Sequence, residues 1–225
     1  MNEVYNEPMK TPSQEMTEDD IFKKLWTSPR AVFSYLEDKK YNKYVPVILM
    51  FIGIIRAINK AVEKDLGDKL PLIAVLAVCV FAGGILGWIT VYLYGALVAW
   101  TGKLLKGVAD TSSLVRVLAY GMVPAVCTLF VIVPQIAIFG NDMFKDNGSE
   151  FVDGFFANLL FYGGAAIEVV LGVWSTIIIV IGISEVQKLS ISKAILNVLL
   201  AALAIIVPFM TIALVFELVN LVAVL

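Results

Sequence analysis

The sequence predicts an all-α integral membrane protein, a five-helix bundle with a cytoplasmic N-terminal tail that contains short amphipathic helices. Two observations support this fold class. Hydrophobic residues make up 60% of the 225 residues and charged residues only 16%, whereas soluble domains are about half apolar and a quarter charged. The chain also contains several apolar stretches close to the ~20 residues that a helix needs to cross a bilayer.

Charged residues are concentrated in the N-terminal tail. Residues 1–44 contain 7 Lys or Arg and 8 Asp or Glu, and they lack the charge pattern and cleavage site of a secretory signal, so we expect the tail to be retained. Residues 1–17 have few large apolar side chains. We expect this segment to be disordered, because it cannot bury enough apolar surface to offset the entropy lost on ordering.

Residues 18–43 are predicted to form two short amphipathic helices. Ile21 and Leu25 recur at helical spacing on the apolar face of the first helix. Ser28 followed by Pro29 marks the start of the second, because Ser is a good N-cap and Pro is tolerated at the first helical position. The helices can lie at the membrane interface among the lipid headgroups or pack against the protein's own loops, and both alternatives are open.

Five apolar runs are predicted to span the membrane. The first is interrupted by Arg56, and the third and fifth contain prolines, which predict kinks. The second run, of about 32 residues, would be ~48 Å long as a helix, so it must tilt, kink or project from the ~30 Å hydrocarbon core. The predicted spans cover about 44–62, 70–101, 114–139, 155–184 and 194–219.

The distribution of basic residues predicts the orientation of the chain. Nine Lys or Arg residues lie close to the spans on the side of the N-terminal tail, and four lie on the other side. Basic residues are enriched in cytoplasmic loops. We therefore expect the N-terminus to be cytoplasmic and the C-terminus outside.

The residue types present argue against an enzyme. The chain has no His, so the commonest general base and zinc ligand is missing. Cys79 and Cys127 lie in apolar runs and are interpreted as small buried hydrophobes. No phosphate-binding loop or hydrolase motif is present, and the net charge of −2 argues against a nucleic-acid partner. We expect no catalytic residue, cofactor or metal site.

Glu168 is the strongest candidate for a functional residue. It lies near the centre of the fourth apolar run, where an ionised acid costs about 2.5–3.5 kcal/mol. Gly164 and Gly172 flank it at one-turn intervals, which lets another helix approach closely. Arg56 is the candidate ion-pair partner. The carboxylate can be an ion or proton site, or it can be a neutral or paired group that stabilises helix packing.

Three segments of the chain resemble one known family. They are residues 26–33 (WTSPRAVF), 119–124 (AYGMVP) and 173–197 (VWSTIIIVIGISEVQKLSISKAILN). These segments are similar to the Yip1 family, whose members combine a cytoplasmic tail with five spans. The resemblance implies the fold described above, and its motif positions here are Ser28, Pro29, Tyr44, Pro46, Tyr120, Gly121, Pro124 and Trp174.

Two motifs of eukaryotic Yip1 members are only partly retained. The Asp-Leu-Tyr-Gly-Pro and Gly-Tyr-x-x-x-Pro motifs correspond to residues 42–46 and 119–124, which keep the Tyr and Pro of each motif but lack the Asp and both Gly residues. The eukaryotic branch is associated with recruitment of Rab-type GTPases, and these differences argue against that partner here. The chain looks like a prokaryotic member, which implies location in a prokaryotic cell membrane.

Two hypotheses of function follow. The first is a non-enzymatic scaffold or accessory subunit that lies in the lipid bilayer and binds another integral membrane protein, such as an exporter. The second is a small transporter or channel that uses the intramembrane carboxylate Glu168. The sequence does not predict the oligomeric state.

Overall fold

The computed structural model describes residues 16–146 and 154–223, and it is helical throughout these ranges, without a strand. The predicted disordered segment therefore lies almost entirely outside the described residues. The helices are α1 (Ile21–Lys24), α2 (Pro29–Asp38), α3 (Val45–Glu63), α4 (Leu72–Val78), α5 (Gly84–Leu104), α6 (Thr111–Gly121), α7 (Val123–Val126), α8 (Leu129–Phe139), α9 (Phe155–Gln187) and α10 (Ile191–Ala223).

Five segments of the described chain are long and apolar enough to cross a membrane, which confirms the predicted fold class. The first coincides with α3, so Arg56 is accommodated inside a continuous helix. The second combines α4 and α5, and the third combines α7 and α8. The segments are Val45–Glu63, Leu72–Leu104, Val123–Phe144, Phe155–Gln187 and Ile191–Phe216.

The second span contains a π-helical turn at Cys79–Gly83, and this turn lies against α3. A Cβ atom on Gly53 of α3 would overlap the carbonyl oxygen of Gly83 and lie 2.9 Å from the Cα atom of Gly87. The two backbones therefore touch through three glycines, as small residues allow between membrane helices. The Gly-x-x-x-Gly pair at 83 and 87 packs helices within the chain.

The predicted third span is divided into three helices. The chain breaks at Met122, just before Pro124, and again after α7 at Cys127 and Thr128. Because the helix starts again at Val123, the amide of Ala125 lies in the first turn of α7 and has no acceptor within the helix. It donates to the Ser175 hydroxyl of α9 at 3.0 Å. Pro134, in contrast, lies inside a continuous α8.

The buried side chains form two clusters, one at each end of the bundle. The larger cluster includes Phe33 and Leu36 of α2 together with Leu114, Tyr120 and Ile183, and we call this end of the molecule the tail side. The smaller cluster lies at the opposite side and contains Ile55, Ile58, Val75, Cys79, Ile132 and Phe144.

The tail helices dock on the bundle through their apolar faces. Ile21 of α1 and Leu25, directly after this helix, are fully buried, as are Val32 and Phe33 of α2. The Phe33 ring packs over Gly182 of α9. Of the two alternatives for residues 18–43, the structure shows packing against the chain's own helices, so these apolar faces are not available for insertion into lipid.

Replacing Gly53 with Ala is expected to destabilise the protein by about 1–3 kcal/mol, because the new methyl group overlaps rigid backbone at Gly83 and Gly87. Gly172→Ala is the matched control, since a Cβ atom there meets no atom within 4 Å. Thermal unfolding of both variants in the same detergent measures the difference. Equal melting temperatures for the two variants would show that the glycine contact does not limit the packing of α3.

Candidate functional site at the tail junction

A buried arginine joins the tail to the bundle at the tail side. Arg116 of α6 is only 3% exposed, and its Nη1 atom lies 2.6 Å from a carboxylate oxygen of Glu37 at the end of α2. Its Nε atom donates to Oδ1 of Asn42, just before α3, at 3.0 Å. The Ser113 hydroxyl donates to the other oxygen of Glu37 at 3.0 Å. We call these four residues the tail junction.

The carboxylate of Glu37 is held in its charged form. Burial alone raises its pKa, but the hydrogen bonds from Lys40 and Ser113 and the positive charges of Arg116 and Lys40 outweigh burial, so the pKa lies below its ordinary value of 4.5. The ionised group therefore compensates the guanidinium of Arg116. A buried arginine without such a partner would be strongly destabilising.

Aromatic residues at the family-motif positions pack beside the tail junction. The Phe22 ring of α1 lies between Tyr44 and Tyr120, with ring centroids 5.3 and 6.3 Å apart. Tyr44 also contacts Tyr41 at 6.2 Å. Pro46 lies in the first turn of α3. Tyr44 and Tyr120, the two tyrosines at family-motif positions, thus contact the same ring and hold α1 against the bundle.

The other family-motif positions have separate structural roles. Ser28 and Pro29 begin α2, although the Ser28 side chain makes no capping hydrogen bond. Gly121 lets Ile179 of α9 approach α6. Pro124 lies in the first turn of α7, directly after the break at Met122. Trp174 is 40% exposed on the outside of α9, so it does not contribute to the tail junction.

A second polar contact joins α5, α9 and α10 at the tail side. Gln187 is fully buried, and its side chain accepts from the Ala109 amide at 3.2 Å. Gly102 leaves the space that the Gln187 side chain fills. The Thr101 hydroxyl donates to the side-chain oxygen of Asn197, also fully buried, at 2.6 Å. These hydrogen bonds help to hold the helices together. Apolar side chains alone would not do so, because they are equally stable against lipid.

The intramembrane pair that the sequence suggested does not form. Glu168 is half-buried and makes no ion pair or hydrogen bond with any described residue. Arg56 is exposed and donates to the sulfur of Met122 at 3.8 Å. The guanidinium lies in a groove of about 260 Å³ with Thr90, Val91, Tyr94, Leu118 and Met122.

The small-residue stripe around Glu168 is used over only part of its length. Gly164 packs against the Gln135 side chain of α8, which donates to the Leu160 carbonyl at 3.0 Å. Gly172 faces open space. The close helix approach that the stripe predicts is therefore confirmed at Gly164 and wrong at Gly172.

Several polar residues of these contacts were not singled out in the sequence, among them Glu37, Gln187 and Asn197. Glu37 is one of several acids in the tail, and its partner lies 79 residues away. Gln187 and Asn197 carry a usable signal, because each interrupts or follows an apolar run within the family-like segment 173–197. Arg116 stands out as a charge at the margin of an apolar run. In that position it resembles a residue that anchors the end of a span at the membrane surface.

The arrangement is suited to holding helices together. Within the described residues, no group of three His, Cys, Asp or Glu side chains lies close enough to hold a metal ion. The charged groups of the tail junction neutralise one another, and their polar atoms named above all take part in structural contacts. The tail junction therefore positions the tail on the bundle.

Glu37→Gln is expected to destabilise the protein by about 2–4 kcal/mol at neutral pH, because it leaves Arg116 buried without a counter-charge. The wild-type protein should lose this contribution under acid. The pKa of Glu37 is lower in the folded protein than in the unfolded chain. The stabilisation is therefore fully present at a pH above the unfolded-state pKa, and it is lost as the pH falls through the folded-state pKa. Melting temperatures measured from about pH 7 to about pH 3 test both statements.

Glu63→Gln is the control for loss of a carboxylate, since Glu63 forms an ion pair with Lys60 in which both side chains are exposed. Such a pair contributes about 0–1 kcal/mol. A Glu37→Gln variant as stable as Glu63→Gln at neutral pH would contradict the role assigned to the tail junction.

The chain matches the family model described as the Yip1 domain over residues 23–213. The matched range begins within α1 and ends within α10, so it contains the tail junction, the first four spans and most of the fifth. No curated protein and no solved structure was found to match. The match extends over most of the chain and agrees with the five-span architecture, and the chain belongs to the Yip1 domain family.

Proposed function

We propose that this protein is a non-enzymatic accessory subunit or scaffold whose last helix binds another integral membrane protein. The observation that carries the proposal is the exposure of α10. Only 6% of its apolar stretch is buried inside the chain, against 44% for α3. Every residue from Ile205 to Phe216 is exposed, so this half of α10 has no packed face.

Residues 205–216 of α10 contribute little to the fold of their own chain, whereas the first half of the helix packs against α5 and α9. Association between membrane helices depends on close packing and hydrogen bonds, since lipid and side chains are equally apolar. Residues 205–216 of α10 gain neither from the rest of the described bundle. A helix that the family model nevertheless includes as far as residue 213 is well placed to pack against a second protein.

Pro208 gives the same part of α10 a backbone group that needs a partner. Proline has no N–H to donate to the carbonyl of Ala204, one turn earlier. In the hydrocarbon region an unpaired carbonyl is costly, and neighbouring helices commonly supply the missing donor. A partner helix beside the exposed half of α10 would meet this need.

The proposal includes the membrane and the orientation in which the subunit acts. We place it in a prokaryotic cell membrane with the tail side facing the cytoplasm, supported by the excess of basic residues on that side. The docked tail then presents a rigid surface to the cytoplasm. The partner would be a multi-span protein such as an exporter, and a Rab-type GTPase is not proposed.

Photo-crosslinking residues placed at Phe209 and Ile212, which are 73% and 69% exposed, are expected to give one discrete adduct with a membrane-spanning protein in intact cells. The matched control is Val169 on α9, which is 66% exposed and faces outward on another helix. It should give only diffuse adducts with lipid. The same diffuse pattern from all three positions would contradict the proposal, and an adduct with a second copy of the chain would indicate self-association.

The alternative function, a transporter that uses Glu168, is supported by one observation. The carboxylate is half-buried within a long apolar helix and has no ion pair or hydrogen bond with the described residues. A proton or ion path normally requires several polar groups in series. Arg56, the other intramembrane charge, points into a separate groove beside Met122.

Glu168→Gln is expected to leave ion and proton flux through proteoliposomes at the level of the wild type, because the accessory-subunit proposal assigns this carboxylate no transport step. The control for loss of a charge is Glu185→Gln, in a pair with the largely exposed Lys188. Flux that is present in the wild type and in Glu185→Gln but lost in Glu168→Gln would support the transport alternative.

A further inference from the structure

A long apolar groove runs along the outside of the bundle between α9 and α10 at the tail side. Its volume is about 690 Å³. One wall belongs to α9 and the other to α10, and the lining consists of Thr176, Ile177, Val180, Ile181, Ile191, Ile195, Val198 and Leu199. Thr176 offers no free donor, because its hydroxyl donates to the Gly172 carbonyl at 2.9 Å.

Arg30 of α2 borders this apolar groove. The side chain is exposed, and it forms no ion pair or hydrogen bond with any described residue. Phe33, one turn after Arg30 in α2, packs over Gly182 of α9. Gly182 follows the groove-lining residues of α9 and so lies nearer to the C-terminal end of that helix. The guanidinium of Arg30 therefore lies towards the tail-side end of the groove, where α9 ends and α10 begins.

A second groove on the outside of the bundle has no charged residue in its lining, in contrast to the α9–α10 groove. It lies between α3 and the second span, has a volume of about 670 Å³ and is lined by Pro46, Val47, Met50, Val80, Phe81, Gly84, Ile85 and Trp88. The two grooves have similar volumes and apolar walls, so these features do not separate them as sites for an apolar chain. Arg30 is the feature that distinguishes the α9–α10 groove.

We propose that the α9–α10 groove binds an anionic phospholipid of the surrounding bilayer, with its phosphate on Arg30 and an acyl chain along the apolar walls. Guanidinium binds phosphate oxygens through paired, charge-assisted hydrogen bonds. Both walls belong to membrane-spanning helices, so the groove is open to lipid and its charged end lies where headgroups would be. This site is independent of the partner proposed for α10.

Lipid titration of the purified full chain tests the proposal. Native mass spectrometry is used to compare dioleoyl phosphatidylglycerol with dioleoyl phosphatidylcholine. One basic residue near the membrane surface corresponds to about a fivefold preference for the anionic lipid. We expect this preference in the wild-type protein and its loss in Arg30→Gln.

Two further variants separate a specific site from general attraction. Lys193 is exposed on the first turn of α10 but does not line the groove, so Lys193→Gln should keep the preference. Ile195→Trp keeps Arg30 and fills the groove, so it should weaken binding of phosphatidylglycerol. Equal losses in Arg30→Gln and Lys193→Gln, no preference in the wild type, or unchanged binding in Ile195→Trp would each overturn the proposal.

Discussion

The buried charge of Arg116 is the constraint on which the tail side of this structure depends. A guanidinium with 3% exposure is tolerated only with a counter-charge and well-placed acceptors. Glu37 supplies the charge from the end of α2, and Asn42 supplies an acceptor from the segment before α3. Satisfying one side chain therefore requires the tail, the first span and α6 to be in place together.

The polar residues inside the bundle have a related role, because lipid removes the hydrophobic driving force between helices. Gln187 accepts a hydrogen bond from the Ala109 amide, and Asn197 accepts one from the Thr101 hydroxyl. Ser175 accepts one from the Ala125 amide, next to Pro124. These contacts specify which helices lie side by side. The family-like segment 173–197, which contains all three residues, thus has a role in helix packing.

The outer surface shows where the protein can act on its surroundings. The bundle is tightly joined at the tail side, whereas residues 205–216 of α10 are exposed on all faces. The α9–α10 groove combines apolar walls with Arg30, which has no ion pair within the described residues. These two exposed features are the basis for the proposed binding of a neighbouring membrane protein and of a lipid.

The sequence by itself determined the number and type of the spans, because a backbone in lipid must satisfy its own hydrogen bonds and so needs long apolar helices. It also placed the start of α2 at Ser28 and Pro29, because the fixed backbone angle of proline suits the first helical position. Tertiary structure alone decided that Arg116 pairs with Glu37, that Arg56 and Glu168 stay apart, and that the tail faces are buried. These outcomes depend on contacts between residues far apart in the chain, 79 residues for Arg116 and Glu37, and periodicity or hydropathy carries no information on such pairings.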